Sequence, residues 1–101
     1  MQYMKAMLLL RDRKNFTNGV IVERLVWRLP TPSIERPHGL KYRLYCGQSG
    51  HCLVRYDNEA GKGDHCHYGN LEQPYRFVSL EQLLMDFEAD VRRVAGVSND
   101  E

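Results

Sequence analysis

The stretch Leu40-Lys-Tyr-Arg-Leu-Tyr-Cys-Gly-Gln-Ser-Gly-His-Cys-Leu-Val-Arg-Tyr-Asp57 decides the fold of this chain. In its first half the residues alternate, which is typical of a strand with one buried face, formed here by Leu40, Tyr42, Leu44 and Cys46. Gly47-Gln-Ser-Gly50 is rich in turn-forming residues, and the alternation resumes from His51 to Asp57. The stretch therefore predicts an antiparallel hairpin.

Two more strands are predicted on the N-terminal side of this hairpin. One runs from Tyr3 to Leu10, and a polar segment ending in the turn signal Asn18-Gly19 follows it. The next runs from Val20 to Leu29, and its apolar face is expected to hold Ile21, Leu25, Trp27 and Leu29. Three prolines between Pro30 and Pro37 predict a loop, because proline cannot donate to a sheet ladder.

The C-terminal side predicts a short fifth strand at residues 75–78 and then one amphipathic helix. Ser79 is the expected N-cap, with Gln82 reaching back to it, and Gly96 ends the helix. The residues at helical spacing that form its buried stripe are Leu80, Leu83, Leu84, Phe87, Val91 and Val94. The acids expected to stay outside are Glu81, Asp86, Glu88 and Asp90.

The predicted fold class is α+β, an antiparallel meander of four or five strands with one C-terminal helix packed on one face. Residues 1–95 are expected to form a single domain, and residues 96–101 a disordered tail. The chain has three cysteines, no window of about 20 apolar residues and no apolar run near Met1 typical of a signal peptide. We therefore expect a cytoplasmic protein without a signal peptide, a disulfide framework or membrane contact.

The net charge of +1 hides an asymmetry between the two halves of the chain. Residues 1–57 carry ten Lys and Arg against four Asp and Glu, a formal charge of +6. Residues 58–101 carry four against nine, a formal charge of −5. The first half suits a polyanionic partner, although attraction between the halves explains the split equally well.

The segment Arg55-Tyr-Asp-Asn-Glu-Ala-Gly-Lys-Gly-Asp-His-Cys-His67 is the candidate active site, read as a functional loop. Its acids and imidazoles predict an acid–base site that cleaves RNA, with a predicted catalytic set of Asp57, Glu59, Asp64, His65 and His67. In this interpretation His65 and His67 serve as base and acid. No cofactor is needed for that chemistry, but a divalent ion on the two histidines and a carboxylate is an alternative.

Basic residues near this segment predict a nucleic-acid surface. Arg24 and Arg28 are expected to share the sheet face away from the helix with Lys41, Arg43, Tyr45 and Arg55. Cations and aromatic rings on a sheet bind phosphates and stack bases in several RNA-binding folds. Lys62 and Arg76 are predicted to add phosphate contacts. An ordinary solvated outer face is the competing interpretation.

Three further features identify a family resemblance. The segment from Leu53 to His67, then Glu72-x-Pro-Tyr-Arg-Phe77, then Leu83-x-x-Asp-Phe87 with Asp90, together resemble the TumE family. These are small prokaryotic toxins of type II toxin–antitoxin modules. The resemblance implies a partner, a cognate antitoxin with a DNA-binding domain that is encoded nearby, and it covers nearly the whole chain.

Two functional hypotheses follow. The first is a toxin that acts on RNA, by metal-independent cleavage at residues 55–67. The second is a non-enzymatic toxin or regulatory protein, whose loop and basic sheet face bind a protein or nucleic-acid partner. The oligomeric state stays open.

Overall fold

Six β-strands follow one another as a single antiparallel meander in the computed structural model, which describes residues 5–59 and 61–98. The strands are β1 Met7–Asn15, β2 Val20–Arg28, β3 Leu40–Gln48, β4 His51–Asp57, β5 His65–Tyr68 and β6 Leu71–Pro74. The helix α1, Leu80–Ala95, follows and packs against β3 and β4. The predicted α+β class is confirmed, with six strands instead of four or five.

The core lies between α1 and one face of the sheet. The predicted apolar face of β3 is buried, and Phe87 of α1 is 0% exposed with its ring edge against Tyr56, 5.9 Å between centroids. No element of the described chain covers the opposite face of the sheet, which we call the open face.

Both predicted ends of α1 are confirmed by their caps. Ser79 Oγ accepts a hydrogen bond from the Gln82 amide at 3.0 Å, as an N-cap does. The Gln82 side chain donates to Asp86 at 2.7 Å and does not reach back to Ser79. Gly96 adopts a left-handed φ of 67° and its amide bonds to the Arg92 carbonyl, which closes the helix.

Strand β1 starts later and extends further than the sequence predicted. Its observed range includes the polar residues 11–15, and the predicted start at Tyr3 lies outside the described residues. The polar residues remain part of the strand because Asp12 lies directly opposite Arg24 of β2, and the Arg24 guanidinium donates a hydrogen bond to the Asp12 carboxylate. Cross-strand pairs of this kind stabilise a strand without apolar alternation.

The predicted faces of β2 are reversed in the structure. Val22 and Val26 are buried, whereas Leu25 and Trp27 point to the open face. The register with β3 explains this, because it aligns the valines with the buried side chains of that strand. Arg24 and Arg28 therefore lie on the helix side of the sheet, and the prediction that they belong to the nucleic-acid face is wrong. Arg24 donates a hydrogen bond to Glu88 of α1 at 3.0 Å.

The segment predicted as a loop contains the end of β4 and the first three residues of β5. β5 and β6 form a hairpin, and the predicted strand at residues 75–78 is instead an irregular connection to α1. Sequence alternation missed β6 because Leu71–Pro74 is exposed throughout. Its proline is tolerated because β6 is an edge strand.

The C-terminal region differs from the prediction at two places. Asp86, Glu88 and Asp90 are half-buried and hydrogen-bonded, so of the four predicted outer acids only Glu81 is exposed. Val97 packs into the core with 9% exposure, although it falls within the predicted tail. Residues 99–101 of that tail lie outside the described residues.

Candidate functional site

Two rows of directly paired residues cross the open face. Because side chains opposite each other in an antiparallel sheet share a face, each row can be read from the register. The first row is Arg11, Leu25, Arg43, Asp57, His65 and Pro74. The second row is Arg13, Glu23, Tyr45, Arg55, His67 and Glu72.

The rows bring together Asp57, His65 and His67, which we call the Asp57 group. Asp57 faces His65 across β4 and β5, and the next pair on this face is Arg55 with His67. One potential ligand atom from each member of the group lies within 4.8 Å of the others. Asp57 is 5% exposed and His65 is 4% exposed, so the two residues at the centre of the group are desolvated.

Both ring nitrogens of His65 are engaged. Nδ1 lies 2.9 Å from the carbonyl oxygen of Gly63 and must donate to it, since a carbonyl only accepts. Gly63 has a left-handed φ of 71°, a conformation that glycine adopts readily. Nε2 lies against Oδ1 of Asp57.

Arg55 contacts both His67 and Asp57. Its Nη2 donates to Nε2 of His67 at 3.0 Å, so that nitrogen carries a lone pair. Its Nε lies 2.9 Å from Oδ2 of Asp57. Burial, followed by the charge of Arg55, lowers the pKa of His67 and favours the neutral imidazole. Arg55 is therefore the resident cation beside the group.

Two buried polar atoms at this point lack a hydrogen bond within the described chain. They are Nε of Arg55 and Oδ1 of Asp57. Each lies close to an oppositely charged or polar atom, yet the geometry is not that of a hydrogen bond. Such atoms are rare in folded proteins and often mark a functional site.

Glu72 and Lys62 form the outer edge of the group. Oε1 of Glu72 lies 3.8 Å from Nε2 of His65 and 3.9 Å from Nζ of Lys62. A shallow pocket of about 170 Å³ opens here, lined by Lys62, Asp64, His65, Glu72, Gln73 and Pro74. Glu72 was not predicted as a site residue, because its place beside His67 depends on the β5–β6 hairpin.

The other two predicted catalytic acids lie apart from the Asp57 group. Asp64 accepts hydrogen bonds from Tyr42 Oη at 2.6 Å and from His38 Nε2 at 3.0 Å. Burial, helped by Asp64, raises the pKa of Tyr42 and keeps its hydroxyl protonated. This set of bonds ties the loop before β5 to β3. Glu59 is exposed, and its backbone carbonyl accepts a hydrogen bond from the Lys62 amide at 3.2 Å.

A second cavity is a groove of about 630 Å³ over β1, β2 and β3, lined by residues of the open face together with Asp12 and Arg24 of the helix side. Its lining residues are Arg11, Asp12, Arg13, Glu23, Arg24, Leu25, Trp27 and Arg43. The guanidinium of Arg43 stacks on Tyr45, 5.3 Å from the ring centroid, and the exposed Lys41 lies opposite Trp27. Arg76 is exposed on the connection to α1, outside both rows.

Arg11, Arg13 and Trp27 are open-face residues that the sequence interpretation missed. Arg11 and Arg13 alternate with Asp12 and Lys14, which is the period of a strand, but all four are polar and the segment ends in a turn signal, so the apolar pattern predicted no strand there. Cys66 lies on the other face, opposite Tyr56, and burial raises the pKa of its thiol. An activated thiolate is therefore not part of the site.

Comparison with known proteins agrees with the resemblance found in the residues. The sequence model of a family described as toxin TumE matches residues 6–95. No curated protein and no solved structure matches the chain significantly. Within the part of the chain that the structure describes, no helix is long and apolar enough to cross a membrane.

Proposed function

The chain belongs to the TumE toxin family, and we propose that it is the toxin of a type II toxin–antitoxin module that acts on RNA through the open face. The observation that carries this proposal is the pair of rows. They place Arg11, Arg13, Arg43 and Arg55 on the same uncovered surface as the Asp57 group.

The dimensions of the open face suit a single-stranded RNA. Strands are spaced about 4.8 Å apart, so the distance from Arg11 on β1 to His65 on β5 is about 19 Å. Along that path the arginines supply phosphate contacts, while Tyr45 and Trp27 supply aromatic surface on which bases stack. Duplex RNA is a poorer substrate in this proposal, because its bases are already stacked.

The proposed reaction is cleavage of the RNA chain next to the Asp57 group. The 2′-hydroxyl attacks the adjacent phosphorus and loses its proton, while the 5′-oxygen of the next nucleotide leaves and gains one. His65 and His67 are not equivalent for such a reaction. Both nitrogens of His65 are engaged and its side chain is buried, whereas His67 is only partly covered. The geometry therefore favours a reaction in which Asp57, His65 and His67 act together. It disfavours one in which two free imidazoles serve separately as base and acid.

A direct test uses purified protein and a labelled single-stranded RNA. We expect cleavage by the wild-type protein, a loss of roughly 10²-fold or more in His67→Gln, and weaker RNA binding in Arg43→Met. Arg92→Met, which removes an exposed arginine from α1, is the matched control and is expected to behave like the wild type. Absence of cleavage with intact RNA binding would favour the non-enzymatic alternative.

The antitoxin part of the proposal is tested in cells. Expression of the chain should slow growth, and coexpression of a neighbouring gene product with a DNA-binding domain should relieve the effect. A chain that is harmless at high expression would contradict the toxin assignment. Growth inhibition that persists in His67→Gln would show that toxicity does not depend on the Asp57 group.

A further inference from the structure

The donor atoms of the Asp57 group form a metal-binding arrangement, and we propose that the group binds one divalent transition-metal ion, with zinc as the expected ion. The three donor atoms lie within 4.8 Å of one another. A small side-chain rotation brings such atoms to the ligand distances of zinc, about 2.0–2.2 Å. The catalytic role of this ion rests on the proposed function, but its binding is measurable without RNA.

The orientation of His65 is the first argument. Its Nδ1–H donates to the Gly63 carbonyl at 2.9 Å, so the neutral ring carries its lone pair on Nε2. A backbone carbonyl that fixes the ring in this way is the usual outer partner of a metal-bound histidine. Nε2 lies against the carboxylate of Asp57, although the contact does not have the geometry of a hydrogen bond. A cation shared by the two atoms, either a proton or a metal ion, relieves the repulsion between their lone pairs, and the metal titration below distinguishes the two.

The carboxylate of Asp57 is the second argument. Its side chain is 7% exposed, and its Oδ1 has no hydrogen bond within the described chain. A buried carboxylate oxygen without a partner is strongly unfavourable. An ion held jointly by Oδ1 and Nε2 of His65 satisfies both atoms once the two side chains have moved apart to admit it.

His67 supplies the third donor, and Arg55 now holds it. Nε2 of His67 accepts from Arg55 Nη2, so its lone pair is already directed at a cation. The Arg55 side chain is 30% exposed and can turn outward. Metal binding then replaces the Arg55 guanidinium by the metal ion at Nε2 of His67. Glu72 Oε1 lies 3.8 Å from Nε2 of His65 and is placed to become a fourth ligand.

The donor chemistry selects the class of ion. Two imidazole nitrogens and a carboxylate suit zinc, iron, cobalt or manganese better than magnesium or calcium, which prefer oxygen ligands. An ion at this position would polarise a phosphate oxygen and activate a nucleophile beside it.

The test is titration of the purified protein with Zn²⁺ by calorimetry and with Co²⁺ by visible absorption. We expect one ion per chain, with affinity reduced about 100-fold or more in His67→Gln and Asp57→Asn. Circular dichroism checks that each variant is folded, and His67→Gln is the safer variant because His67 is only partly buried. Two control variants change potential ligands outside the group. His51→Gln removes an exposed histidine, and Cys66→Ser removes a buried thiol on the helix side of the sheet. Both should bind Zn²⁺ like the wild type.

Competition with Arg55 gives a second readout. Arg55→Met should raise the affinity for Zn²⁺ about tenfold, since it removes the cation that now contacts two of the ligands. Arg43→Met removes an equal charge from the same row as Asp57 and should give a smaller gain. Equal gains would contradict the proposed competition.

The proposal fails if the affinity for Zn²⁺ is unchanged in both His67→Gln and Asp57→Asn. Zinc binding by a protein that does not cleave RNA would contradict the proposed function alone. RNA cleavage that persists in EDTA would contradict the catalytic role of the ion alone.

Discussion

Gly47 shows how a single residue shapes the open face. A Cβ at this position would lie 2.1 Å from the hydroxyl oxygen of Tyr45, whose ring lies across the glycine. We therefore expect Gly47→Ala to displace that ring and to lower the free energy of unfolding by about 1–3 kcal/mol. Because the ring is only partly buried and can move outward, the lower end of this range is expected.

A double-mutant cycle isolates the contact. Gly47→Ala in a Tyr45→Ala background should cost much less than in the wild type, as measured by urea denaturation. An equal cost in both backgrounds would show that the backbone, and not the ring of Tyr45, requires glycine there.

The sequence predicted the three residues of the Asp57 group but not the arginines that share the open face with them. Asp57, His65 and His67 are close in the chain, so a short turn between β4 and β5 was enough to unite them. Arg11 and Arg13 are separated from them by more than forty positions, with two strands between β1 and Asp57 and three between β1 and the histidines. Their contribution depends on the full register of the sheet, which no local pattern contains.

Among the elements, α1 was the easiest to predict and the outer hairpin the hardest. The helix has a cap at each end and an apolar stripe, and these local signals agree. β5, His-Cys-His-Tyr, alternates between the two faces, with Cys66 and Tyr68 packed on the core, but four residues with two histidines are too short a signal for a strand. β6 is exposed on all four residues and shows no apolar alternation. Their pairing comes from hydrogen bonds to neighbouring strands.

The packing of α1 gives a stability prediction. Phe87 is 0% exposed and contacts Tyr56 of β4, so Phe87→Ala should lower the free energy of unfolding by about 3–5 kcal/mol. Met85, on the same helix, is 60% exposed, and Met85→Ala should cost about 0.5 kcal/mol or less. Chemical denaturation measures both, and similar losses would show that the helix packs through another face.

Asp90 gives the same helix a pH-dependent anchor. It accepts hydrogen bonds from Tyr56 at 2.5 Å and from Tyr68 at 2.7 Å. Burial alone would raise the pKa of Asp90, but these bonds and one from Arg93 outweigh it and hold the pKa below its ordinary value. Since the folded pKa is the lower one, the carboxylate stabilises the fold above the unfolded pKa, about 3.9. This contribution is lost as the pH falls through the folded pKa.

We therefore expect Asp90→Asn to be less stable than the wild type at pH 7 and the difference to shrink below about pH 4. Urea denaturation of both proteins at several pH values measures this. Glu81→Gln, which removes an exposed acid from the same helix, is the matched control. Parallel stability curves for Asp90→Asn and the wild type would contradict the proposed anchor.

For the whole molecule, the charge split seen in the sequence becomes only in part a split between the two layers, because Glu23, Asp57 and Glu72 also lie on the open face. The arginines of the rows lie on the open face, whereas the acids of the second half include those on α1. The ion pair of Arg24 with Glu88 joins the layers, so attraction between the halves accounts for part of the asymmetry. The cations of the open face lie on the opposite side of the sheet from those acids and are available to a polyanion.

This layout predicts how RNA binding responds to salt. Each phosphate contact contributes about 0.7 to the slope of log K against log salt for a single strand, so Arg11→Met with Arg13→Met should reduce that slope by about 1.4. Fluorescence anisotropy with a labelled RNA at several salt concentrations gives the slope. Arg92→Met with Arg93→Met removes two exposed arginines from the end of α1 and serves as the matched control. If the helix pair lowers the slope as much as the β1 pair does, RNA does not bind along the open face, and the rows that carry the proposed function are only a solvated surface.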